Sequence, residues 1–442
     1  MSVAWFFGTL LSVVATTAQD SDSTLTLLAR SSQGASAGEW TNLNVTVDGR
    51  LHTAVPFELP CFSKYGGLPV TTDAAACTSI QENYTDPNFR AAHFGAYMDI
   101  DVQSVEDIQA AYAFSKTTGV QLSVKNTGHD YKGRSSGKGT LSLWISFNQT
   151  FFPEKCATKY TAITIGVQLK VVTPDGQLRV ANECQNQDLF WALRGGGGSA
   201  FGVLTELTLR VEPQLTLQAA IITFPANSTN LYPWYNLTVY NSLRWGYDGW
   251  GGHISGPSLV HVTPNLNKSE AQASMQVAVD FAVSQGGSGI IDELPSWYAF
   301  FTKYVVIAEA PVGPEVMLGS RLINTTLFAT EEGRTALSDA IRDVLPFSSP
   351  YIVVGTPFLY PYVEGTTSVT PAWRHSLWHV SCIIYGLHST RADLVGQFSV
   401  PGQFHFNSTL EERKSVYEEV GQHIQVFRDL TPGSGAYFVS TL

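Results

Sequence analysis

The chain has 442 residues, of which 44% are hydrophobic, 12% aromatic and only 14% charged. This composition is typical of a globular protein with a large core, and it excludes a disordered, collagenous or fibrous chain. The formal charge of −11 excludes nucleic acid as a natural partner, because the chain as a whole repels polyanions. The length predicts two or three domains.

Residues 1–18 are typical of a signal peptide. They are apolar from Val3 to Ala15 and end in small residues that suit a cleavage site, although no Lys or Arg precedes the apolar run. No later segment reaches membrane-spanning length without Pro, Gly or charge. The sequence therefore predicts a secreted, extracellular protein with no membrane partner. Eight Asn-x-Ser/Thr acceptors fit a glycoprotein: Asn44, Asn83, Asn148, Asn227, Asn236, Asn267, Asn324 and Asn407.

Residues 19–83 are predicted to form an N-terminal leader, poorly ordered up to about residue 40, followed by a loop framed by cysteines. Because secretion permits disulfides, Cys61 and Cys77 are candidates for a bridge that staples this loop. The other cysteines are interpreted as a second candidate pair and a buried inert thiol, namely Cys156 with Cys184, and Cys382.

Helices and strands alternate in the next segment, residues 84–212. Ser104 and Asp107 form a start like a capping box, and the apolar residues that follow share one helix face until Gly119. The turn Pro174-Asp175-Gly176 predicts a hairpin, and a helix is predicted from about Gln187 to the four glycines 195–198. Strands are predicted at Val120–Val124, Leu141–Ile145, Ala162–Val167 and Val203–Val211.

The loop Lys125–Gly137, KNTGHDYKGRSSG, is the most unusual local feature. Its glycines let the backbone approach a ligand closely, and successive N–H groups in such a turn form an anion-binding nest. Four basic residues crowd into the same window of an acidic protein and would balance a diphosphate: Lys125, Lys132, Arg134 and Lys138. The alternative is an exposed basic hairpin tip.

The tetraglycine in RGGGGSAFG superficially matches a dinucleotide fingerprint through Gly195, Gly197 and Ala200. That fingerprint requires a strand before the glycines and a helix after them, whereas here the predicted order is reversed. A Rossmann NAD site is therefore excluded, and no Lys-Ser/Thr pair follows to make a nucleotide triphosphate loop. The glycines are either a helix stop and tight packing corner or a direct ligand contact.

Residues 213–415 are rich in aromatic side chains, including Trp234, Trp245 and Trp250, and contain long alternating stretches. This pattern predicts a second, sheet-based domain with an aromatic cavity or core. His375 and His379 are spaced like metal ligands on a helix, but their segment favours a strand and lacks the glutamate of a zinc protease motif. No GxSxG elbow supports a serine hydrolase. No metal site is predicted.

Three parts of the chain together resemble secreted fungal FAD-linked oxidases of the vanillyl-alcohol oxidase superfamily, which are relatives of berberine bridge enzyme. These parts are Asn88–Ile145, the segment LKVVTPDGQLRVANECQNQDLFWALRGGGGSAFGV and the terminal GSGAY. The resemblance implies an α+β fold, in which a PCMH-type FAD-binding domain is joined to a substrate domain with a mainly antiparallel sheet. It also implies an oxidase that transfers a hydride from an alcohol-type carbon to FAD, with a small-molecule substrate and dioxygen as partners.

In that family the histidine of the glycine loop is joined covalently to the flavin, and here it is His129. The resemblance implies a FAD site in two segments, with backbone amides of the first around the diphosphate: Lys125, Asn126, Thr127, Gly128, His129, Asp130 and Gly133, together with Gly198, Gly202, Val203 and Leu204. The catalytic base is not identified among the acidic and tyrosine residues of the second domain. The rival hypothesis is a non-catalytic secreted glycoprotein derived from this fold, with carbohydrate as its candidate ligand. A third alternative, a glycoside hydrolase, has no identifiable carboxylate pair.

The chain departs from that family in two places. Relatives carry several dozen residues, including a second glycine-rich FAD cradle, where here Ala162–Gln168 continues directly into Leu169. They also continue beyond GSGAY into a long tail, whereas residues 416–442 are expected to make only a truncated return to the FAD domain. Loss of buried strands exposes unpaired backbone groups, each costing on the order of 1 to 3 kcal/mol.

Overall fold

The computed structural model describes residues 35–52, 56, 58–65, 68–84, 86, 89, 100–126, 130, 134–137, 139–145, 160–198, 200–305, 318–383 and 409–436. The helices are α1 (Ala37–Thr46), α2 (Ala74–Asn83), α3 (Val105–Thr118), α4 (Gln187–Leu193), α5 (Leu231–Tyr247), α6 (Lys268–Ser284), α7 (Trp297–Phe300), α8 (Thr326–Ala329), α9 (Glu331–Val344), α10 (Pro371–Arg374) and α11 (Leu410–Leu430).

The strands form four sheets in the described part of the chain. They are β1 (Lys64–Tyr65), β2 (Leu68–Pro69), β3 (Ile100–Val102), β4 (Leu122–Lys125), β5 (Leu141–Ile145), β6 (Tyr160–Val172), β7 (Leu178–Asn182), β8 (Val203–Pro213), β9 (Leu217–Thr223), β10 (Gly251–Ser255), β11 (Ser258–Thr263), β12 (Ser288–Leu294), β13 (Leu318–Asn324), β14 (Tyr351–Val354) and β15 (Ser376–Ile383).

The first domain is built on a parallel sheet of three strands in the order β3-β5-β4, with α3 packed against it. The predicted start and stop of α3 are confirmed: Ser104 and Asp107 form the capping box, and Gly119 ends the helix with φ 76°. That left-handed conformation suits glycine, because it has no Cβ to clash. Asp107 is buried and also pairs with Arg50, which ties the preceding segment to this helix.

The segment that precedes β3 belongs to the same core. Ser36 and Glu39 form a capping box for α1, and Trp40 packs on Phe114 of α3 with ring centroids 4.6 Å apart. Trp40 and Leu43 are buried. The expectation of poor order up to residue 40 is therefore wrong for residues 37–40, because the Ser, Ala and Gly content concealed a capped helix with buried side chains.

The Cys-framed loop is closed by a disulfide between Cys61 and Cys77, as the sequence predicted. Cys77 lies in α2, whose N-terminus is capped by Asp73. Among the described residues Cys184 has a free, exposed thiol, and its candidate partner Cys156 lies outside them.

Removal of this disulfide is expected to destabilise α2 selectively. The bridge spans 16 residues, and a loop of this length corresponds to about 3 kcal/mol of lost chain entropy in the unfolded state. We expect the double variant Cys61→Ser/Cys77→Ser to lose that much protection in hydrogen exchange at the amides of α2. Cys184→Ser, at an exposed cysteine outside this loop, is the control; equal protection in both variants would contradict the prediction.

A second, antiparallel sheet in the order β7-β6-β8 completes the first domain. The predicted strand Ala162–Val167 and the first strand of the predicted hairpin form one continuous strand, β6, which pairs with β8 over most of its length with three register irregularities. The hairpin turn is confirmed, with Gly176 at φ 79°. Gln109 of α3 donates a hydrogen bond to the carbonyl of Gly176 at 2.6 Å, which connects the two sheets.

The second domain is a seven-stranded antiparallel sheet in the order β12-β9-β11-β10-β14-β15-β13. Helices α5, α6, α9 and α11 pack on one face of it. The tryptophans predicted to line a cavity or core, Trp234, Trp245 and Trp250, are all fully buried between this face and the helices. They are therefore core residues. Trp245 and Trp250 donate their indole N–H groups to Ser274 at 3.0 and 3.1 Å.

The last described helix, α11, packs on this second sheet. Its residues Ile424 and Phe427 are part of the same core, and the amide of Leu322 in β13 donates to the carbonyl of Gly435 at 2.8 Å. For residues 416–436, the part of the predicted segment 416–442 that the structure describes, this differs from the expected return to the FAD domain, because the apolar stripe of α11 is buried against the second sheet. None of the helices in the described part is long and apolar enough to cross a membrane.

Candidate functional site

The predicted glycine loop begins where β4 ends. Lys125 is 7% exposed, which differs from the alternative of an exposed basic hairpin tip at this position. Asn126 fixes the start of the loop to the end of β5: its side-chain amide donates to the carbonyl of Ile145 at 3.0 Å, and its own carbonyl accepts from the indole of Trp144 at 3.1 Å. Thr127, Gly128, His129 and Gly133 lie outside the described residues.

Asp130 and Arg134 form a bidentate pair in the same loop. The guanidinium donates to the two carboxylate oxygens at 2.8 and 2.9 Å, and the Arg134 amide donates to the same carboxylate at 3.0 Å. The hydrogen bond from Arg134 to Asp130 raises the pKa of the arginine. The charge of Arg134, predicted to balance a diphosphate, is thus largely matched by Asp130. Lys132 and Lys138 lie outside the described residues.

Three of the four glycines after α4 can be assigned to two different roles. Gly195 has φ 148°, and a Cβ there would lie 2.3 Å from the amide nitrogen of Val369. A Cβ on Gly196 would lie 2.4 Å from the ring of Phe201. These two glycines form the tight packing corner that was one of the two sequence-based alternatives. Gly198 differs, because no described atom lies within 4 Å of the position of its Cβ, and a ligand can approach its backbone.

Gly202 directly precedes β8. It has φ 145°, and a Cβ would meet the carbonyl oxygen of Val172 at 2.5 Å. Val203 is buried and pairs with Val172, and Leu204 pairs with Val171. Gly202 therefore serves the close packing of β8 on β6. The order helix, glycines, strand is as predicted and is the reverse of the Rossmann arrangement.

The two predicted FAD segments adjoin strands of one hydrophobic core. Val203 and Val172 belong to the same buried cluster as Leu141, Leu143 and Ile145 of the parallel sheet, and Val124 of β4 packs against that cluster. The strand that leads into the Lys125 loop and the strand that leaves Gly202 are thus held together by packing. A buried ammonium, an anchored loop and an open glycine backbone fit a diphosphate-containing cofactor such as FAD.

The second domain is attached directly to this region. The loop between β14 and β15, residues 355–375, docks on α4 through two donors of the first domain: Trp191 donates to the carbonyl of Gly365 and Arg194 to that of Thr366, both at 2.8 Å. Ser368 donates back to the carbonyl of Ala192 at 2.9 Å. A cavity of about 260 Å³ elsewhere in the second domain, between Asn324 and Ser434, is lined by none of the predicted FAD residues.

Sequence reasoning did not identify which side chains the second domain offers to a substrate. One face of its sheet carries His253, Tyr351 and His379 on three adjacent strands, β10, β14 and β15. The phenol oxygen of Tyr351 lies 2.6 Å from Nδ1 of His253. Burial lowers the pKa of His379 to about 4 and also lowers the pKa of His253. The sequence contains no pattern that predicts this cluster, since its three residues come together only through the register of the strands.

No protein-family model matches the chain. FAD-linked oxidoreductase ffsJ of Aspergillus flavipes is 30% identical over 542 residues, in a match that covers 91% of this chain and 85% of the relative. FAD-linked oxidoreductase OXR2 of Pyricularia oryzae is 31% identical, with the same two shares covered. Because the chain has 442 residues, at least 100 positions of the first match have no counterpart here. Their predicted location next to Leu169 stays a prediction.

Two solved structures have the same fold. The VAO-type flavoprotein MtVAO615 of Myceliophthora thermophila C1 has a TM-score of 0.69 at 21% identity, covering 92% of this chain and 88% of the other. The BBE-like 1 protein of Physcomitrella patens has a TM-score of 0.54 at 15% identity, covering 75% and 80%. The α+β fold predicted from the resemblance is thereby confirmed. The chain belongs to the FAD-linked oxidoreductases of the vanillyl-alcohol oxidase family, whose structural neighbours include berberine bridge enzyme-like proteins.

Proposed function

We propose that this protein is a secreted oxidase that uses FAD, bound covalently through His129, to oxidise an alcohol-type carbon of a small organic or carbohydrate substrate. The observation that carries the proposal is that the two predicted FAD segments, the Lys125 loop and Gly198–Leu204, adjoin strands that pack in the same hydrophobic core. Family membership supports the redox class.

The residues of this chain would hold the cofactor by charge and by backbone donors. Lys125 supplies a buried positive charge, Asn126 and Asp130 fix the loop at two points, and Gly198 leaves its backbone accessible. When bound, FAD supplies a hydride acceptor for the substrate carbon and passes the electrons to dioxygen. The protein has to supply the group that receives the hydroxyl proton.

Secretion is supported by two features of the described residues. The Cys61–Cys77 disulfide is of the kind that forms and persists in an oxidising compartment. Two of the predicted glycosylation acceptors, Asn227 and Asn267, are exposed at the surface of the second domain.

The retention of FAD tests the proposal directly. We expect the purified protein to be yellow and the colour to remain in the pellet after acid precipitation, because a covalent bond survives unfolding. His129→Ala is expected to release the pigment into the supernatant, whereas His52→Ala, at an exposed histidine, should leave it in the pellet. A colourless, folded protein would contradict the oxidase and support the rival secreted glycoprotein. Pigment in the supernatant of the unmodified protein would exclude the covalent bond alone.

The substrate class is tested with the same preparation. Cellobiose, cellotriose, 4-hydroxybenzyl alcohol and cinnamyl alcohol are mixed with the protein without oxygen, and bleaching of the flavin absorbance is followed. Reduction by at least one of these probes, followed by hydrogen peroxide formation in air, is expected. If all four leave the flavin oxidised, the assignment to alcohol oxidation is wrong, and if air does not restore the colour, dioxygen is not the acceptor.

A further inference from the structure

Among the residues that the structure describes, no helix covers one face of the second-domain sheet over its central strands. Helices α5, α6, α9 and α11 cover the opposite face. On the face in question, α7 and the residues after it cover β9, β11 and β12 through Phe300 and Tyr304. The remaining area, on β10, β14 and β15, is called here the open face, and its side chains include His253, Tyr351 and His379.

The open face lies near the end of the sheet that meets the first domain. Strand β8 of the first domain ends at Pro213 and β9 begins at Leu217, so the sheet starts where the chain leaves the first domain. The loop between β14 and β15, which docks on α4, leaves the sheet after Val354. Strand pairing places Val354 opposite Gly252 and Trp378, so the row of His253, Val353 and His379 is the next one along the strands.

Of the two histidines on the open face, His253 is the more exposed residue. The residue as a whole is exposed, but its ring stacks on Tyr351, with centroids 5.5 Å apart, which removes water from one ring face; His379 is only partly exposed. In the described part of the chain the hydrogen bond of His253 is made by Nδ1 to the phenol oxygen of Tyr351. When Nδ1 carries the hydrogen and donates it to that oxygen, Nε2 presents a lone pair outward.

We propose that His253 accepts the hydroxyl proton of the substrate through Nε2, and that Tyr351 positions its ring and fixes this tautomer. The proposal rests on the proposed function and names the base that it requires. An alcohol that becomes a carbonyl loses two hydrogens: the carbon-bound hydrogen leaves as a hydride to FAD, and the O–H bond breaks with its proton passing to Nε2. Atoms and electrons then balance, with dioxygen as the final oxidant.

The surroundings of His253 keep it neutral near pH 7. Desolvation lowers its pKa below the ordinary value for histidine, so the imidazole can act as an acceptor at neutral pH. The titratable groups that strand register places around it are Tyr351 and His379 on the same face and His261 of the adjacent strand β11 on the opposite face. His261 is itself held neutral by burial.

The first test measures the flavin spectrum and needs no substrate. A titrating imidazole next to the isoalloxazine ring changes its absorption, so the FAD-loaded protein is expected to show a spectral transition with a midpoint below pH 6.5. His253→Asn should abolish this transition, because the side-chain amide N–H can replace the Nδ1–H group as the donor to Tyr351 but does not titrate. His52→Asn is the control. A transition that persists in His253→Asn, or is lost only in His379→Asn, overturns the proposal.

The second test measures flavin reduction by whichever alcohol probe reduces the unmodified protein. His253→Asn is expected to slow reduction by about 10²- to 10⁴-fold, the usual contribution of a general base. Tyr351→Phe should slow it less and move the midpoint of its pH profile, which a purely structural residue would not do. Unchanged reduction in His253→Asn with FAD retained overturns this proposal alone, whereas a protein that purifies without FAD overturns the proposed function and this proposal with it.

Discussion

The substitution Gly202→Ala is expected to lower the free energy of unfolding by about 4 kcal/mol, because it combines backbone strain with a steric clash. Gly202 has φ 145°, a conformation that residues with a Cβ rarely adopt. The added methyl group would lie 2.5 Å from the carbonyl oxygen of Val172 and 2.9 Å from a methyl group of Val171. The obstacle is largely backbone of the central strand β6, which cannot rotate away.

Gly198→Ala is the matched control for this prediction. Gly198 has no positive φ and no described atom within 4 Å of its Cβ position, so the substitution should change the free energy of unfolding by less than about 1 kcal/mol. Urea unfolding of the two variants measures the difference. If Gly198→Ala remains as stable as the unmodified protein but loses FAD, the backbone at residue 198 contacts the ligand. Equal stability of Gly202→Ala and Gly198→Ala would contradict the assignment of Gly202 to strand packing.

The local elements of the first domain could be predicted from sequence because their signals are short-range. The capping box at Ser104 and the turn at Gly176 depend on hydrogen bonds and backbone angles within a few residues, so the pattern and the structure agree. The Cys61–Cys77 bridge is similar, since only two cysteines frame that loop. The boundaries of α3 were predicted to within one residue for the same reason.

The arrangement of the second domain could not be predicted in this way. In its sheet β9, β11 and β10 are neighbours, whereas β12 lies at one edge and β13 at the other, so the order in space differs from the order in the chain. No local sequence pattern specifies which strands become neighbours in this way. The sequence also gave no means of assigning α11 to the second sheet, because an amphipathic stripe such as Val420, Ile424 and Phe427 shows that a face is buried and does not show against what.

The candidate site likewise contains residues that could be predicted from the sequence and residues that could not. The resemblance selected Lys125, Asn126 and Gly198 from motifs that are contiguous in sequence, and the structure gives them a buried charge, an anchored backbone and an open approach. The pair of His253 and Tyr351 is separated by 98 residues and meets only through the register of β10 and β14. Groups that carry chemistry across strands are therefore found from the fold and not from a motif.

A buried histidine is expected to make the second domain sensitive to acid. His261 of β11 is fully buried beside Trp245, and neither ring nitrogen has a hydrogen-bond partner in the described part of the chain. Burial, with a smaller contribution from the charge of His253, lowers its pKa from 6.5 to about 3. Between these pH values the unfolded chain binds a proton at this residue that the folded chain does not. Stability is therefore complete above pH 6.5 and falls as the pH decreases towards 3.

His261→Leu should remove this sensitivity. When the unfolded chain binds one proton more than the folded chain, the free energy of unfolding falls by about 1.4 kcal/mol for each pH unit of acidification. Between pH 7.5 and 4.5 the unmodified protein should therefore lose about 2.5 kcal/mol more stability than the variant. Above pH 6.5 the variant should be nearly as stable, because leucine fills a similar volume and leaves no polar atom without a partner. Urea unfolding at several pH values measures the difference, with His52→Leu, at an exposed histidine, as the control. Parallel pH profiles of the unmodified protein and His261→Leu would mean that His261 is reached by water or gains a partner when it is protonated.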